Sequence, residues 1–378
     1  ILYYHRGISG LKTYINRITT DHQVYFFLAI PPKTYADTAA EISREGFPKD
    51  TTLIIEKPFG YDYISANNLD SELVKYFNEE SIYRIDHYLA KEAVQNIMIF
   101  RFANTVFGPV WNNRYIEEIQ INASETMGVQ NRAAYFDSAG IIRDMIQNHL
   151  TQLLCLITME PPVSLDPDDI RAQKIDILKA LNVLECRGLQ YKGYTEERGV
   201  DKDSATPTYA ELKLGINNFR WYGVPVYIRA GKALDRDGTE ICVKFRSLPP
   251  LLFNSEGEVN SNRIVFAIQP APGIILDISG KVPGGELKIS ENNLAFCYRN
   301  TYKGEIPEAY QRLLLDALRC DRTLFVSAEE TETAWKRYSS ILDKEPEGVY
   351  EKGSDPAGLV YKDWTDFKKY QTNCSNRG

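Results

Sequence analysis

Three short runs near the start of the chain limit the fold more than any other feature: Gln23–Ile30 (QVYFFLAI), Thr51–Glu56 (TTLIIE) and Ser81–Asp86 (SIYRID). The first two are continuous in apolar and β-branched side chains, the pattern of a strand buried on both faces. Pro31-Pro32 stops the first and Lys57-Pro58 the second. Between the runs lie two stretches with helical spacing, Thr34–Arg44 and Ser65–Asn78, the latter carrying Leu69, Leu73, Val74 and Phe77. Strands joined through helices of this length run parallel, so the first part of the chain is predicted to be a doubly wound sheet.

The pattern then changes. Val94, Ile97, Met98 and Phe102 mark a helix, Ile116–Ala123 alternates like a strand with one wet face, and a long helix is predicted from Ala139 to about Met159. From Tyr209 to Tyr298 six strand-like segments follow, divided by Gly, Pro and Asn, which predicts a large antiparallel sheet. Pro307–Leu318 and Ala328–Ile341 read as helices, and the last fifteen or so residues as a loosely held tail. The expected architecture is α/β followed by α+β. Residues 1–86 form part of a Rossmann-like parallel sheet, and residues 87–378 a larger domain with a big, mainly antiparallel sheet.

Charge excludes one class of partner. The balance of 44 basic to 51 acidic residues gives a net charge of −7. A protein that neutralises a run of nucleic-acid phosphates leans the other way, so any bound phosphate is expected singly, in a local pocket. No stretch reaches the length and apolarity of a membrane-spanning helix, and the start of the chain lacks a signal-peptide layout. The six cysteines carry no CxxC pair and read as reduced and mostly buried rather than as a disulfide or zinc framework. There are only four histidines (His5, His22, His87 and His149), which leaves histidine chemistry few places.

Open α/β sheets bind ligands at the carboxyl ends of their strands. One strand here ends Glu56-Lys57-Pro58-Phe59-Gly60, where a cis proline would fix the turn and aim Lys57 into the crevice; the bland reading is a surface lysine. Another ends in Asp86, His87, Tyr88 and Lys91. With a helix starting there, His87 and Lys91 share a face beside free backbone N–H groups, although the same residues also make a polar helix cap. On the long helix, Asp144 and Asn148 stand one turn apart, with His149 about 100° further round. A core histidine that merely satisfies a hydrogen bond is the alternative there.

Taken together these segments resemble the glucose-6-phosphate dehydrogenase family. The matching stretches are LAIPPKTY (28–35), EKPFG (56–60), YRIDHYLAKEAVQNIMIFRFAN (83–104), FGPVWN (107–112), YFDSAGIIRDMIQNHLTQLL (135–154) and VPVYIRAGKAL (224–234). The pairing of RIDHYLxKE with IIRDxxQNHL is specific to that family. The resemblance implies His149 as the general base toward the sugar's anomeric hydroxyl and Asp86 as the carboxylate that orients it. It implies His87, Tyr88 and Lys91 at the 6-phosphate, and Lys57 between sugar and nicotinamide. Glu125, Asp144 and Lys232 fall on the remaining sugar, with Gln269 lining the same pocket, and Ala29, Pro31, Tyr35 and Lys57 on the cofactor. The reaction implied is oxidation of glucose 6-phosphate to 6-phosphogluconolactone with NADP, without a metal, in a cytoplasmic homodimer or homotetramer. It is the entry step of the pentose phosphate pathway.

The sequence also departs from the family. The glycine-rich pyrophosphate turn and the arginine that reads the 2′-phosphate are not visible, and Gly7–Lys12 is not expected to replace them. The expectation is that roughly a hundred N-terminal residues of the nucleotide-binding fold are missing. Ala90 replaces a glycine, and Asp237 stands where a basic residue is usual, beside Arg236. Arg229 and Lys232 fit the region where some members bind a second, structural NADP. Ala267, Ile275 and Asp277 stand there in place of arginine, tyrosine and lysine, so that site is expected to be absent. Two other readings compete: a catalytically silent homologue or truncated form that binds sugar phosphate or a partner, and a different sugar dehydrogenase sharing only the EKP strand end. Retention of Asp86, His87, Lys91, Asp144 and His149 argues against the first, and the two histidine motifs disfavour the second.

Overall fold

The computed structural model describes residues 6–18, 23–249, 251, 261–302 and 307–375. His5 and His22 lie outside them. The chain forms two compact units: Ile1–Ala90 with Pro162–Ile175 and Pro307–Ser339, and Lys91–Pro161 with Asp176–Ile306 and Ser340–Gly378. A single boundary at residue 86 misses this. Two later segments return to complete the first unit, because a small parallel sheet cannot cover its own faces and edge.

In the first unit, strands β1 (Tyr25–Leu28), β2 (Thr52–Ile55) and β3 (Ile82–Ile85) run parallel in that order. β12 (Phe325–Val326) closes the far edge antiparallel to β3. The crossover helices are Tyr35–Arg44 and Tyr63–Tyr76, both predicted, and their buried faces (Tyr35, Ala39, Ile42, Leu73) pack with Leu28, Leu53, Ile55 and Ile82. Asp62 and Ser65 cap the second helix reciprocally, which stops it from extending back into the EKPFG loop. Beneath β3, fully buried Arg84 is held by Asp70 at 2.5 Å and Glu79 at 2.8 Å, so its charge is matched inside the core.

The second unit is built on nine strands: β4 (Ile116–Ser124), β5 (Leu181–Tyr191), β6 (Tyr209–Ile216), β7 (Val226–Gly231), β8 (Gly238–Phe245), β9 (Arg263–Gln269), β10 (Gly273–Lys281), β11 (Ile289–Cys297) and β13 (Val349–Tyr350). Their spatial order is β11-β10-β9-β8-β4-β7-β6-β5-β13. All pairs are antiparallel except β4 with β7 and β5 with β13. β4 therefore lies near the middle of the sheet, and the wet face expected for it is not wet. Its polar row is buried and satisfied by the chain's own C-terminal stretch and by the neighbouring strand β7. Tyr361 donates to Glu118 at 2.6 Å, the Thr365 N–H donates to Gln120 at 2.8 Å, and Arg229 donates to Asn122 at 2.6 Å. Buried polar groups must find such partners.

The tail, predicted to be loose, is therefore part of the core. Phe367, Tyr370 and Cys374 pack against Cys242, Val265, Ala267 and Ile275; Tyr370 donates to Asp277; and Cys374 is disulfide-bonded to Cys297. That bond corrects the expectation of six reduced cysteines. The four others are free, with Cys155, Cys186 and Cys242 buried and Cys320 exposed.

Candidate functional site

In the first unit, the expected site residues lie at the carboxyl ends of the parallel strands. Ala29 and Pro31 follow β1 as an exposed shelf, continued by half-exposed Ile30. Tyr35 does not line the shelf. Its ring is wholly buried and its hydroxyl donates to the Glu56 carbonyl at 2.8 Å, so it ties the end of β1 to the end of β2. Burial raises that phenol's pKa to about 12. Lys57 follows β2, half-buried, and the Lys57-Pro58 bond is cis. The same loop is pinned from the returning helix Ala328–Tyr338, where the Trp335 indole N–H donates to the Phe59 carbonyl at 3.0 Å.

Asp86 and His87 follow β3. The Asp86 carboxylate is buried and accepts the Tyr88 N–H at 2.9 Å, which fixes the turn. Tyr88 is itself buried, and Ala90 is buried with it. His87 is half-exposed and lies parallel to the ring of Tyr310 at 6.4 Å between centroids. The Tyr310 hydroxyl donates to Glu56 at 3.2 Å, so this residue links the β2 and β3 ends; the sequence carried no signal for it. Glu56 is pushed above the usual carboxylate range, first by burial, with Tyr310 and Lys57 opposing.

The helix expected to start at His87 starts at Glu92 instead, with Lys91 as its extended N-cap. His87 and Lys91 thus do not share a helix face. In the second unit, the Lys91 ammonium donates to Gln269, which precedes a cis proline at the end of β9.

The same unit holds the densest polar cluster. Lys232 follows β7 and is almost fully buried, 2.8 Å from Glu125 and 3.4 Å from Asp144. Its ammonium lies 5.3 Å from the Phe136 ring. Its backbone is fixed as well: its N–H donates to Thr208, its carbonyl accepts the Tyr350 hydroxyl, and Ala233 beyond it is left-handed at φ 52°. A non-glycine residue in that conformation persists only where the surroundings hold it. Arg132 stands 3.9 Å from Asp144, balancing two carboxylates with two cations. Neither Arg132 nor Phe136 was singled out from the sequence. Arg236 is not available to a ligand, since it pairs with buried Glu240 at 2.6 Å, while Asp237 accepts the Thr126 N–H at 2.7 Å.

Asp144 and His149 sit on a segment wound differently from the expected helix. The chain is helical over Ala133–Ile141 but breaks at Gly140 (φ 67°, ψ 170°), is π-helical over Ile142–Leu150, and is α-helical over Thr151–Thr158. Five residues of α-helix would set Asp144 and His149 about 140° apart. Winding with i→i+5 bonds, roughly 4.4 residues per turn, reduces this to about 50°. The stacking expected for Asp144 with Asn148 passes to Asp144 with His149. Both are buried, and the segment lies against β7 and β4.

A doubly wound parallel sheet joined to a large, mainly antiparallel sheet, each bearing a polar site at its strand ends, defines a two-unit class. The sequence matches two family descriptions: "Glucose-6-phosphate dehydrogenase, NAD binding domain" over residues 5–96 and "Glucose-6-phosphate dehydrogenase, C-terminal domain" over residues 98–363. The chain belongs to the glucose-6-phosphate dehydrogenase family. It is 40% identical to a chloroplastic glucose-6-phosphate 1-dehydrogenase of Spinacia oleracea, matching 89% of this chain and 63% of that protein. It is 39% identical to the Bacillus subtilis glucose-6-phosphate 1-dehydrogenase over 88% of this chain and 73% of that one. A solved glucose-6-phosphate dehydrogenase in complex with its substrate superposes with a TM-score of 0.83 at 37% identity, covering 89% of this chain and 73% of that chain. The chain thus spans less than two thirds of the length of the spinach relative.

Proposed function

We propose that the protein is an NADP-dependent glucose-6-phosphate 1-dehydrogenase. The observation that carries the reading is Lys232 held between Glu125 and Asp144, on the segment that also bears buried His149. In this reading the carboxylates of Glu125 and Asp144 accept hydrogen bonds from sugar hydroxyls, and Lys232 holds the two carboxylates in place. Lys91 and His87 hold the 6-phosphate, with Tyr88 fixing the turn between them. Lys57 orients the sugar toward the nicotinamide, and Gln269 sets the Lys91 ammonium.

His149 takes the proton from the anomeric hydroxyl as C1 becomes a carbonyl; imidazole suits this because its ordinary pKa lies near neutrality. Asp86 serves as the carboxylate that orients the imidazole and stabilises its charged form. Bound NADP supplies the acceptor for the C1 hydride. Ala29 and Pro31 would hold its ring end, with Lys57 beside it and Tyr35 keeping the strand ends in place. The product is the lactone.

The reading extends to a homodimer or homotetramer, supported by the exposed edge strand β11, where Leu294 faces solvent. It extends also to the cytoplasm, with the chloroplast, the compartment of the spinach relative, as the competing one. Among the described residues no helix is long and apolar enough to cross a membrane. The test is NADP reduction by the complete gene product with glucose 6-phosphate, beside calorimetric binding of the sugar phosphate. Turnover that His149→Asn abolishes while binding persists is expected; binding without any turnover in the wild type supports the silent homologue instead.

A further inference from the structure

The π-helical stretch Ile142–Leu150 is secured by two side chains that each reach back five residues. Thr151 donates its hydroxyl to the Ile146 carbonyl at 2.6 Å, and its backbone N–H donates to that same oxygen. Asn148 donates from Nδ2 to the Arg143 carbonyl at 2.9 Å. Ordinary back-bonding by a helical threonine reaches a carbonyl in the preceding α-turn. Thr158, further along the same run, does so, donating to the Leu154 carbonyl four residues back at 2.6 Å. The contrast between Thr151 and Thr158 marks a change of helical register, with the wide winding ending at Thr151.

Wide winding needs such support. A π-helix is rare because its bonds are poorer and its bore is loosely filled, so an unsupported segment relaxes toward α-helix. Rewinding would carry His149 away from the side on which Asp144 meets Lys232, by the difference between about 50° and about 140°. We propose that Thr151 and Asn148 are positioning residues that lock this register and so set His149 on the Asp144 side of the segment. The proposal rests on the function given above, since it concerns where the proposed base stands.

The test compares Thr151→Val, Thr151→Ser and Thr158→Val in the complete gene product, reading kcat, KM for glucose 6-phosphate and thermal midpoint. Thr151→Val is expected to lower kcat by about 10²-fold, the usual cost of a misplaced catalytic group, while KM stays within about threefold. Thr151→Ser, which keeps the hydroxyl, should stay within about threefold of wild type in kcat. Thr158→Val removes an equally buried hydroxyl bond and should lower the midpoint by a similar amount without touching kcat. Unchanged kcat in Thr151→Val, or an equal fall in Thr158→Val, overturns the proposal. A crystal structure of Thr151→Val reads the register without any activity: i→i+4 bonding through 142–150 is expected, and retained i→i+5 winding contradicts the lock. If the wild type turns over no glucose 6-phosphate, the function reading fails, while that structure still decides the register.

Discussion

Gly140 interrupts the helix that leads into the site, and its replacement by alanine gives a prediction whose size can be worked from geometry. At φ 67° and ψ 170° the backbone occupies a region open in practice only to glycine. Holding another residue there costs about 1–3 kcal/mol. A Cβ would also meet Thr206 Cγ2 at 3.3 Å, and the Ile141 N–H beside it is committed to the Pro207 carbonyl at 3.2 Å, so the neighbouring loop has little room to give. A loss of about 2 kcal/mol follows, which for a unit of this size lowers the thermal midpoint by about 4–8 °C. The break also sets where the π-helical segment begins, so relief of the strain by local rewinding moves Asp144 and His149 and lowers turnover. Thermal unfolding followed by circular dichroism measures the first effect and initial rates measure the second. Gly108→Ala serves as the control, with ordinary φ and nothing within 4 Å of the added carbon. A Gly140→Ala midpoint within about 1 °C of wild type would refute the strain argument, because less than about 0.5 kcal/mol would then have been lost.

Three further outcomes are expected. Lys232→Met leaves Glu125 and Asp144 without their shared cation and removes a charged hydrogen bond; glucose 6-phosphate affinity, read by calorimetry, should fall by about 10- to 100-fold, in line with 1.5–3 kcal/mol for such a bond. Glu56 has a folded pKa above its unfolded one, so ionising it opposes folding; its unfavourable contribution is absent below the unfolded pKa and grows as pH rises through the folded pKa. Glu56→Gln should therefore flatten the fall in stability between acidic and neutral pH in denaturant titrations, and an unchanged pH profile would count against that assignment. Cys374→Ser opens a cross-link spanning 77 residues, worth up to about 4.5 kcal/mol by loop-closure entropy. Limited proteolysis should then cut within 364–375 much faster than in the wild type, and equal rates would show that packing alone holds the tail.

The local signals read well and the long-range closures did not. The three parallel strands, their two crossover helices and the strands from Tyr209 to Tyr298 follow from hydrophobic period and turn residues, which are properties of neighbouring residues. The alternation along β4 was also real, with Glu118, Gln120 and Asn122 on one face. That face was taken as wet because nothing nearby in sequence covers it. Tyr361 and Thr365 do, from more than two hundred residues downstream. The same long-range packing turned a supposedly loose tail into core and joined Cys297 to Cys374. Of the site, the residue types and their strand ends were legible, since Lys57, Asp86 and His87 follow strands directly. What was not legible was winding: 3.6 residues per turn was assumed through Asp144 and His149, and only the glycine break and two side-chain bonds reveal otherwise. Arg132, Phe136 and Tyr310 were missed because each acts through a partner remote in sequence.

The central claim is that C1 of the sugar gives up a hydride to the cofactor while His149 removes the hydroxyl proton. Glucose 6-phosphate carrying deuterium at C1, incubated with NADP and the complete gene product, tests it directly by mass spectrometry of the reduced nicotinamide. The account predicts one deuterium per nicotinamide reduced, with production lost in His149→Asn. Reduced cofactor without deuterium, or undiminished deuterium transfer in His149→Asn, would contradict it.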